Sequence, residues 1–472
     1  MGNHQDKPRT AEYPQFHSAR YAQSHLLKLL SILSGVLACS SLLFASSVAA
    51  RVKFPDTPLH TYLLANGLHV VMAQDHEAPV VDVEVWYHVG SRDEKPGMTG
   101  FAHLFEHLMF DGTRNLAPEE FSNYVVRSGG VDNAYTTVDA TVFWETAPSV
   151  DLPVVLWLEA DRMRNLTITE ATFRNEREVV AEEEKQRFGN QPYGNVMEAL
   201  YQNAFTVSPY RHRPIGNMRD LDRATLSDVR SFYDTYYVPE NATVVIVGNF
   251  DESQAVKWIE QYFAPLKNTG LPIPRNYPQE PPQTAGRVIK LTQPVALPAF
   301  VEGYHMPADG TPGAYPLELA AKILADGESS WLYQRLVYQK QIAMQVDSEG
   351  DFAEMPSLFF VFAVMNLGHT PAEGEEAADR LIERLKDGLI SPYDLDRAKN
   401  EVLRDYILNR QTAQSRAGAL GYDAVALKDP ALYNTEVDRL LRLSAADIQG
   451  AARKYLVKSN MTLVEVYPEK GK

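Results

Sequence analysis

Residues 100–113 read GFAHLFEHLMFDGT, and the organisation of the whole chain can be worked out from them. Apolar side chains recur in this stretch at the spacing of one helix face. They are Phe101, Leu104, Phe105 and Leu108. Thr99 is a candidate N-terminal cap, and Asp111 followed by Gly112 is a stop signal. The stretch therefore predicts a short helix that packs its apolar face on a core.

His103, Glu106 and His107 give this predicted helix its chemistry. Residues four apart lie on one helix face, so both imidazoles can point at one ion with Glu106 beside them. Two neutral nitrogens and a carboxylate suit zinc and leave a fourth position for water. A carboxylate next to the metal can act as a general base. The alternative interpretation is a pair of partly exposed histidines without a metal.

A third ligand is expected in the acidic segment 175–185, which reads NEREVVAEEEK. Glu176 and Glu183 are seven residues apart and share a helix face. A helix that packs through the two valines between them turns both carboxylates inward, where they need partners such as a metal or its ligands. The pattern favours Glu183 or Glu176 over the outward Glu182 and Glu184. The alternative is a solvated, charged helix face.

Strand and helix patterns divide the chain into two similar halves. Each half opens on a strand followed by an apolar helix, with strands at 80–87 and 299–304 and the second helix around 317–324. Each half also closes on a strand, at 242–247 and 461–466. The sequence therefore predicts a duplicated α+β unit, each copy with a mixed or antiparallel sheet packed with helices.

A proline-rich stretch separates the two halves. Five prolines between residues 266 and 286 exclude a helix or a central strand there and indicate an extended linker. We therefore predict an export signal at 1–50, a zinc-binding domain at 51–265, the linker at 266–286 and a second homologous domain at 287–472. The second domain lacks the zinc motif.

The composition of the chain is that of a globular protein. The chain has 472 residues, of which 45% are hydrophobic and 22% charged, so disorder and low-complexity fibres are excluded. Its net charge of −16 argues against binding nucleic acid through phosphate contacts.

The N-terminal residues have the pattern of an export signal. A polar segment with basic residues precedes an almost uncharged stretch, 26–50, that ends in small residues and predicts cleavage after Ala50. A retained membrane anchor and lipid attachment at Cys39 are the alternatives. Cleavage would also remove Cys39, the one cysteine, so no disulfide is expected. We expect a periplasmic protein, with a membrane-anchored or secreted one as alternatives.

The order H-x-x-E-H resembles that of the insulinase/pitrilysin family, which includes the mitochondrial processing peptidases. Residues 100–113 match the family's block G-x-A-H-x-x-E-H-x-x-F-x-G-T, and residues 176–183 match its E-R-x-V-[IV]-x-x-E. Residues 133–136 resemble its N-A-[YF]-T strand. The resemblance covers residues 55–468.

The resemblance implies a role for each residue of the predicted site. His103, His107 and Glu183 would bind one Zn²⁺ per chain. Glu106 would be the base that activates the water held by zinc, and Glu176 an acidic helper in catalysis.

The resemblance also implies a strand that binds substrate through Asn133, Ala134 and Tyr135. An exposed edge strand can add a peptide as a further strand and hold it by its backbone. The alternative is an ordinary edge strand with Tyr135 packed into the core.

One feature of the family is missing. Active members also use an Arg and a Tyr seven residues apart in a later domain, and these positions hold Val337 and Met344 here. Arg335 and two nearby tyrosines have the wrong spacing and helix face. The resemblance therefore implies half of a clamshell, paired with a zinc-free homologous subunit that supplies the Arg and Tyr. A homodimer that uses other residues is the alternative.

Together these observations predict an exported zinc metalloendopeptidase that acts on peptides. The alternative from another class is a zinc-holding but non-catalytic chain, either a peptide-binding module or a structural subunit of a larger assembly.

Overall fold

A computed structural model describes residues 54–388 and 390–469, so the predicted export signal at 1–50 lies outside the described residues. Within the described ranges, no helix is both long and apolar enough to cross a membrane. Two β-sheets with helices packed against them organise residues 57–469.

The first half contains a six-stranded sheet. Its strands are β1 (His60–Leu63), β2 (His69–Gln74), β3 (Val80–Tyr87), β4 (Val131–Thr136), β5 (Thr141–Pro148) and β6 (Ala242–Gly248). Its helices are α1 (Phe101–Leu108), α2 (Glu120–Arg127), α3 (Leu152–Asn165), α4 (Glu170–Glu184), α5 (Val196–Ala204), α6 (Met218–Arg223), α7 (Leu226–Tyr236) and α8 (Glu252–Phe263). The strand order is β1-β2-β6-β3-β5-β4, antiparallel except for the parallel pair β2–β6.

The second half contains a five-stranded sheet. Its strands are β7 (Arg287–Gln293), β8 (Ala299–Met306), β9 (Ala343–Gly350), β10 (Ser357–Met365) and β11 (Met461–Pro468). Its helices are α9 (Tyr315–Ala325), α10 (Pro371–Asp387), α11 (Pro392–Leu408), α12 (Ala413–Val425), α13 (Glu436–Arg442) and α14 (Ala445–Tyr455). The order is β7-β11-β8-β10-β9, again with one parallel pair, β7–β11.

The two sheets have the same strand order once β1 is set aside. The first sheet then runs β2-β6-β3-β5-β4 and the second runs β7-β11-β8-β10-β9. In both sheets the last strand of the half lies second, and the strand that follows the first apolar helix lies at the edge. The predicted α+β class with two similar halves is therefore confirmed.

Each half covers the outer face of the other half's sheet with one helix. Helix α12 packs on β3 and β6 of the first sheet, while α5 packs on β8 and β11 of the second. Gly421 of α12 lies against the ring of Trp86, where a Cβ would come within 2.2 Å of the indole nitrogen. This exchange buries apolar surface between the halves and so joins them.

The linker runs along the first half. No helix or strand forms between residues 264 and 286, in keeping with its prolines. Arg275 donates to Asp93 at 2.7 Å, and Glu280 accepts hydrogen bonds from the backbone of Thr206, Val207 and Ser208. The linker is thus fixed to the first half by these contacts.

Candidate metal centre

Helix α1 is held between a buried core and a buried carboxylate. All four residues of its predicted apolar stripe are at most 1% exposed. The predicted cap was wrong: Gly100 begins the helix at φ 95°, and the carboxylate of Glu94 accepts from Gly100 N at 2.8 Å and Ala102 N at 2.9 Å. Thr99 donates its hydroxyl to Asp220 instead. A carboxylate satisfies two free N–H groups and the positive end of the helix dipole together, which one hydroxyl cannot do.

Three predicted ligands come together between α1 and α4. His103 Nε2 and His107 Nε2 each lie 3.2 Å from the same oxygen, Glu183 Oε2. A tetrahedral zinc ion with ligand distances of roughly 2.0–2.1 Å separates neighbouring donor atoms by about 3.3 Å. The spacing and the chemistry of these donors therefore fit zinc.

The remaining ring nitrogens of the two histidines face other carboxylates. His103 Nδ1 lies 3.1 Å from Glu106 Oε2, and His107 Nδ1 lies 3.4 Å from Glu176 Oε2. A carboxylate on the far nitrogen fixes the ring and its tautomer, leaving Nε2 with a lone pair for a metal. Glu106 and Glu176 are thus in contact with the ligand set without being part of it.

Charges in the cluster compensate one another. Burial lowers the pKa of His103, but Glu106 and Glu183 outweigh it and raise that pKa to about 9. The contact with His103 lowers the pKa of Glu183 to about 2. Burial raises the pKa of Glu106, and contacts with His103 and Thr136 bring it below its usual value. The cluster therefore favours ionised carboxylates around a positive centre.

Helix α4 turns the predicted carboxylates inward, with two errors in the packing. Glu176 is buried and Glu183 is 16% exposed, whereas Glu182 is 57% exposed as predicted. Glu184, also predicted to face outward, is only 24% exposed because it lies 3.6 Å from Arg213 Nη2. Only one of the two valines packs as predicted: Val180 is fully buried, but Val179 is 44% exposed. The valines are adjacent and about 100° apart around the helix, so both cannot face the core directly.

The predicted substrate strand, β4, lies at the edge of the first sheet. Asn133 is exposed, Ala134 is buried, and the ring of Tyr135 meets that of Trp86 edge to face at 6.1 Å. Thr136, at the end of the strand, donates its hydroxyl to Glu106 at 2.7 Å. The edge strand is therefore connected directly to the carboxylate beside the two histidines.

Sequence reasoning missed three residues at this centre: Glu94, Thr136 and Arg187. Arg187 Nη1 lies 2.9 Å from Glu183 Oε1, and its position four residues after a predicted ligand was the available signal. Thr136 is the last residue of the N-A-[YF]-T stretch, whose resemblance indicated a substrate strand but no contact with Glu106. No local pattern pointed to Glu94, because its contact depends on the path of the loop before α1.

The comparisons with known proteins agree with this geometry. A family model described as Insulinase (Peptidase family M16) matches residues 69–216, and one described as Peptidase M16 inactive domain matches residues 223–402. The chain is 33% identical over 441 residues to the zinc protease PqqE of Helicobacter pylori, covering 92% of this chain and 98% of that one.

Two solved structures are similar to the fold. A protease from Helicobacter pylori matches with a TM-score of 0.84 and 32% identity, over 87% of this chain and all of that one. The periplasmic protease PqqL from Escherichia coli matches with a TM-score of 0.71 and 18% identity, over 88% of this chain but 48% of that one.

Fold, donor set and similarity define the class as that of the zinc metallopeptidases. Within this class, the chain belongs to the insulinase family, peptidase family M16.

Proposed function

We propose that the chain is an exported zinc metalloendopeptidase, with His103, His107 and Glu183 holding one zinc ion. The observation that carries this proposal is the convergence of both Nε2 atoms on one oxygen of Glu183, with Glu106 beside them. Zinc, when bound, would polarise the scissile carbonyl and lower the pKa of water.

Glu106 is the proposed general base. Its pKa lies below its usual value, so it is ionised at neutral pH and able to accept a proton. Glu106 accepts both of its hydrogen bonds, from Thr136 and from His103 Nδ1, at Oε2. Oε1 is then the oxygen that takes the proton from the attacking water and returns it to the leaving amine. Glu176 would hold the ring of His107.

The substrate class follows from strand β4. An edge strand has unpaired backbone groups that can pair with an extended peptide of any sequence. Asn133 Oδ1 accepts from the backbone N–H of Ala134 at 2.8 Å, so Asn133 would offer a substrate its amide N–H groups. Thr136 would then couple the bound strand to Glu106. These features support peptides or unfolded segments as substrates.

The partner proposal rests on the positions of the missing Arg and Tyr. Val337 and Met344 offer no charge and no hydroxyl to a reaction intermediate. The chain is similar to about half of PqqL, a protein with roughly twice its length. We therefore propose that it pairs with a zinc-free homologue, with a homodimer as the alternative. Residues 1–50 and the periplasmic relative support a periplasmic location.

The test is cleavage of a quenched-fluorescent peptide pool by the purified full chain, with zinc measured on the same sample. We expect one zinc per chain and chelator-sensitive cleavage, alone or with the partner. Glu106→Gln should keep the zinc and lower kcat by about 10²–10⁴-fold, because it removes the base while all three predicted ligands stay in place. Cleavage by Glu106→Gln at the wild-type rate would contradict the mechanism.

A second candidate is a chain that holds zinc and binds peptide without turnover. The residues at the Arg and Tyr positions, Val337 and Met344, favour it. One zinc per chain with peptide binding, but no cleavage in the presence of any zinc-free homologue, would support this candidate over the first.

A further inference from the structure

Arg187 lies in a turn that follows directly on the helix carrying Glu183. Residues Lys185–Gly189 form a π-helical turn, in which Asn190 N–H donates to the Lys185 carbonyl at 2.7 Å. Its wider backbone changes the direction of the side chains after α4, and such turns are frequent at functional sites. The guanidinium of Arg187 is 70% exposed, yet it reaches the carboxylate of Glu183.

The two oxygens of Glu183 have different partners. Oε2 faces both histidine Nε2 atoms at 3.2 Å, and Oε1 faces Arg187 Nη1 at 2.9 Å. A carboxylate held by one oxygen cannot rotate freely, so its other oxygen keeps a fixed direction. Groups that hold a metal ligand from outside typically contribute 10–100-fold to metal affinity.

We propose that Arg187 is a positioning residue for Glu183 and that it tightens zinc binding by this chain. The inference rests on the proposed function, since it takes Glu183 as a zinc ligand. It assigns Arg187 a role in the chain's own site, separate from the Arg and Tyr expected from a partner.

The sign of the effect separates positioning from simple electrostatics. A guanidinium close to a divalent cation repels it, so charge alone predicts that removing Arg187 tightens zinc binding. Loss of positioning predicts the opposite. The contribution of the pair to folding should be small in either case, because the guanidinium is largely exposed.

Lys185 provides a matched control within the same turn. Its Nζ lies 3.5 Å from Oε2 of Glu182, the outward neighbour of Glu183, and both side chains are more than half exposed. Lys185→Ala therefore removes one positive charge from the same helix end, as Arg187→Ala does, but from a side chain that contacts no predicted ligand.

The experiment measures the zinc Kd of the full chain by competition with a chromogenic chelator. We expect Arg187→Ala to weaken zinc binding about tenfold and Arg187→Lys to restore part of the loss. Lys185→Ala should stay within about twofold, and the metal-free Tm should be unchanged in all three variants.

Each other outcome has a defined meaning. Unchanged or tighter zinc binding by Arg187→Ala would overturn this inference and leave the proposed function intact. An equal loss in Lys185→Ala would also overturn it, because the effect would then come from the helix end in general. A wild-type chain that binds no zinc would overturn the proposed function together with the inference.

Discussion

In the first half, α1 and α4 bring two histidines to the carboxylate of Glu183. In the second half, α9 and α11 hold the corresponding places in the order of elements, and Lys322 of α9 meets two carboxylates. Lys322 follows Glu318 on α9 by four residues, as His107 follows His103 on α1. Lys322 Nζ lies 2.6 Å from Asp405 on α11 and 2.9 Å from Asp326.

The two halves differ in what stands at this place, which is a set of predicted metal ligands in the first half and a lysine in the second. An ammonium group has three donors and no lone pair, so it can neutralise a carboxylate but cannot bind a metal. A neutral imidazole has a lone pair that can bind a metal but carries no charge of its own, so a bound cation would supply the positive charge between the two histidines and Glu183. In the second half the ammonium group of Lys322 supplies the positive charge at this place. This agrees with the match of residues 223–402 to a model described as an inactive domain.

The sheets differ at corresponding positions as well. Tyr87 of β3 pairs with the first residue of β6, and Tyr304 of β8 pairs with the first residue of β11. Two residues earlier, β3 has Val85 and β8 has Glu302, both fully buried. The second half therefore places an ionisable group where the first half has an apolar one.

Placing a lysine at the predicted metal centre of the first half should have the largest effect on zinc content and cleavage. His107→Lys would place an ammonium beside Glu183 and remove two of three ligands from use. We expect zinc per chain to fall to about a tenth or less and peptide cleavage to fall by at least about 10³-fold, with the circular dichroism spectrum unchanged. His69→Lys, at an exposed position on β2, is the control for the added charge. Normal zinc content in His107→Lys would contradict the assignment of His107.

The pH dependence of stability should reveal the buried Glu302 of the second sheet. Burial raises the pKa of Glu302 to about 8, helped by Asp379 and opposed by Lys458. The unfolded chain loses this proton near pH 4.3, so between about pH 4.5 and 8 the folded state binds more protons and loses stability as pH rises. Glu302→Gln does not titrate. The difference in unfolding free energy, Glu302→Gln minus wild type, should therefore rise by at least about 1 kcal/mol between pH 4.5 and 8.

Urea unfolding at several pH values would measure this difference, with Glu376→Gln, which is 72% exposed on α10, as the control. Parallel stability curves for Glu302→Gln and the wild type would show that Glu302 is not protonated in the folded protein.

Removing the lysine from the second half should have the smallest effect. Lys322→Met leaves Asp405 with Arg404, whose Nη2 is 2.7 Å from Asp405 Oδ1. We expect a loss of about 1 kcal/mol of unfolding free energy, because Lys322 and its partners are a quarter to a third exposed. Zinc content and peptide cleavage should not change. A fall in zinc content would mean that the two sites are not independent.

Much of the centre could be predicted because its signals are local. The apolar stripe of α1 and the spacing of His103 and His107 lie within eight residues, and the seven-residue spacing of Glu176 and Glu183 lies within one helix. The error at the helix cap arose where a neighbour outside the helix decided the result, whereas the error at the valines came from the geometry of the helix itself. Glu94 replaced Thr99 as the cap from the preceding loop, and Val179 stayed exposed because only one side of α4 faces the core.

The sequence by itself determined the residue types, their helix faces and the division into two α+β halves, because apolar periodicity and turn residues specify structure within short segments. Only the tertiary structure decided that Glu183 meets histidines 76 and 80 residues away, that β4 lies at a sheet edge beside Glu106, and that α5 and α12 are exchanged between the halves. These contacts depend on strand order and on the packing of distant segments, which no short stretch of sequence encodes.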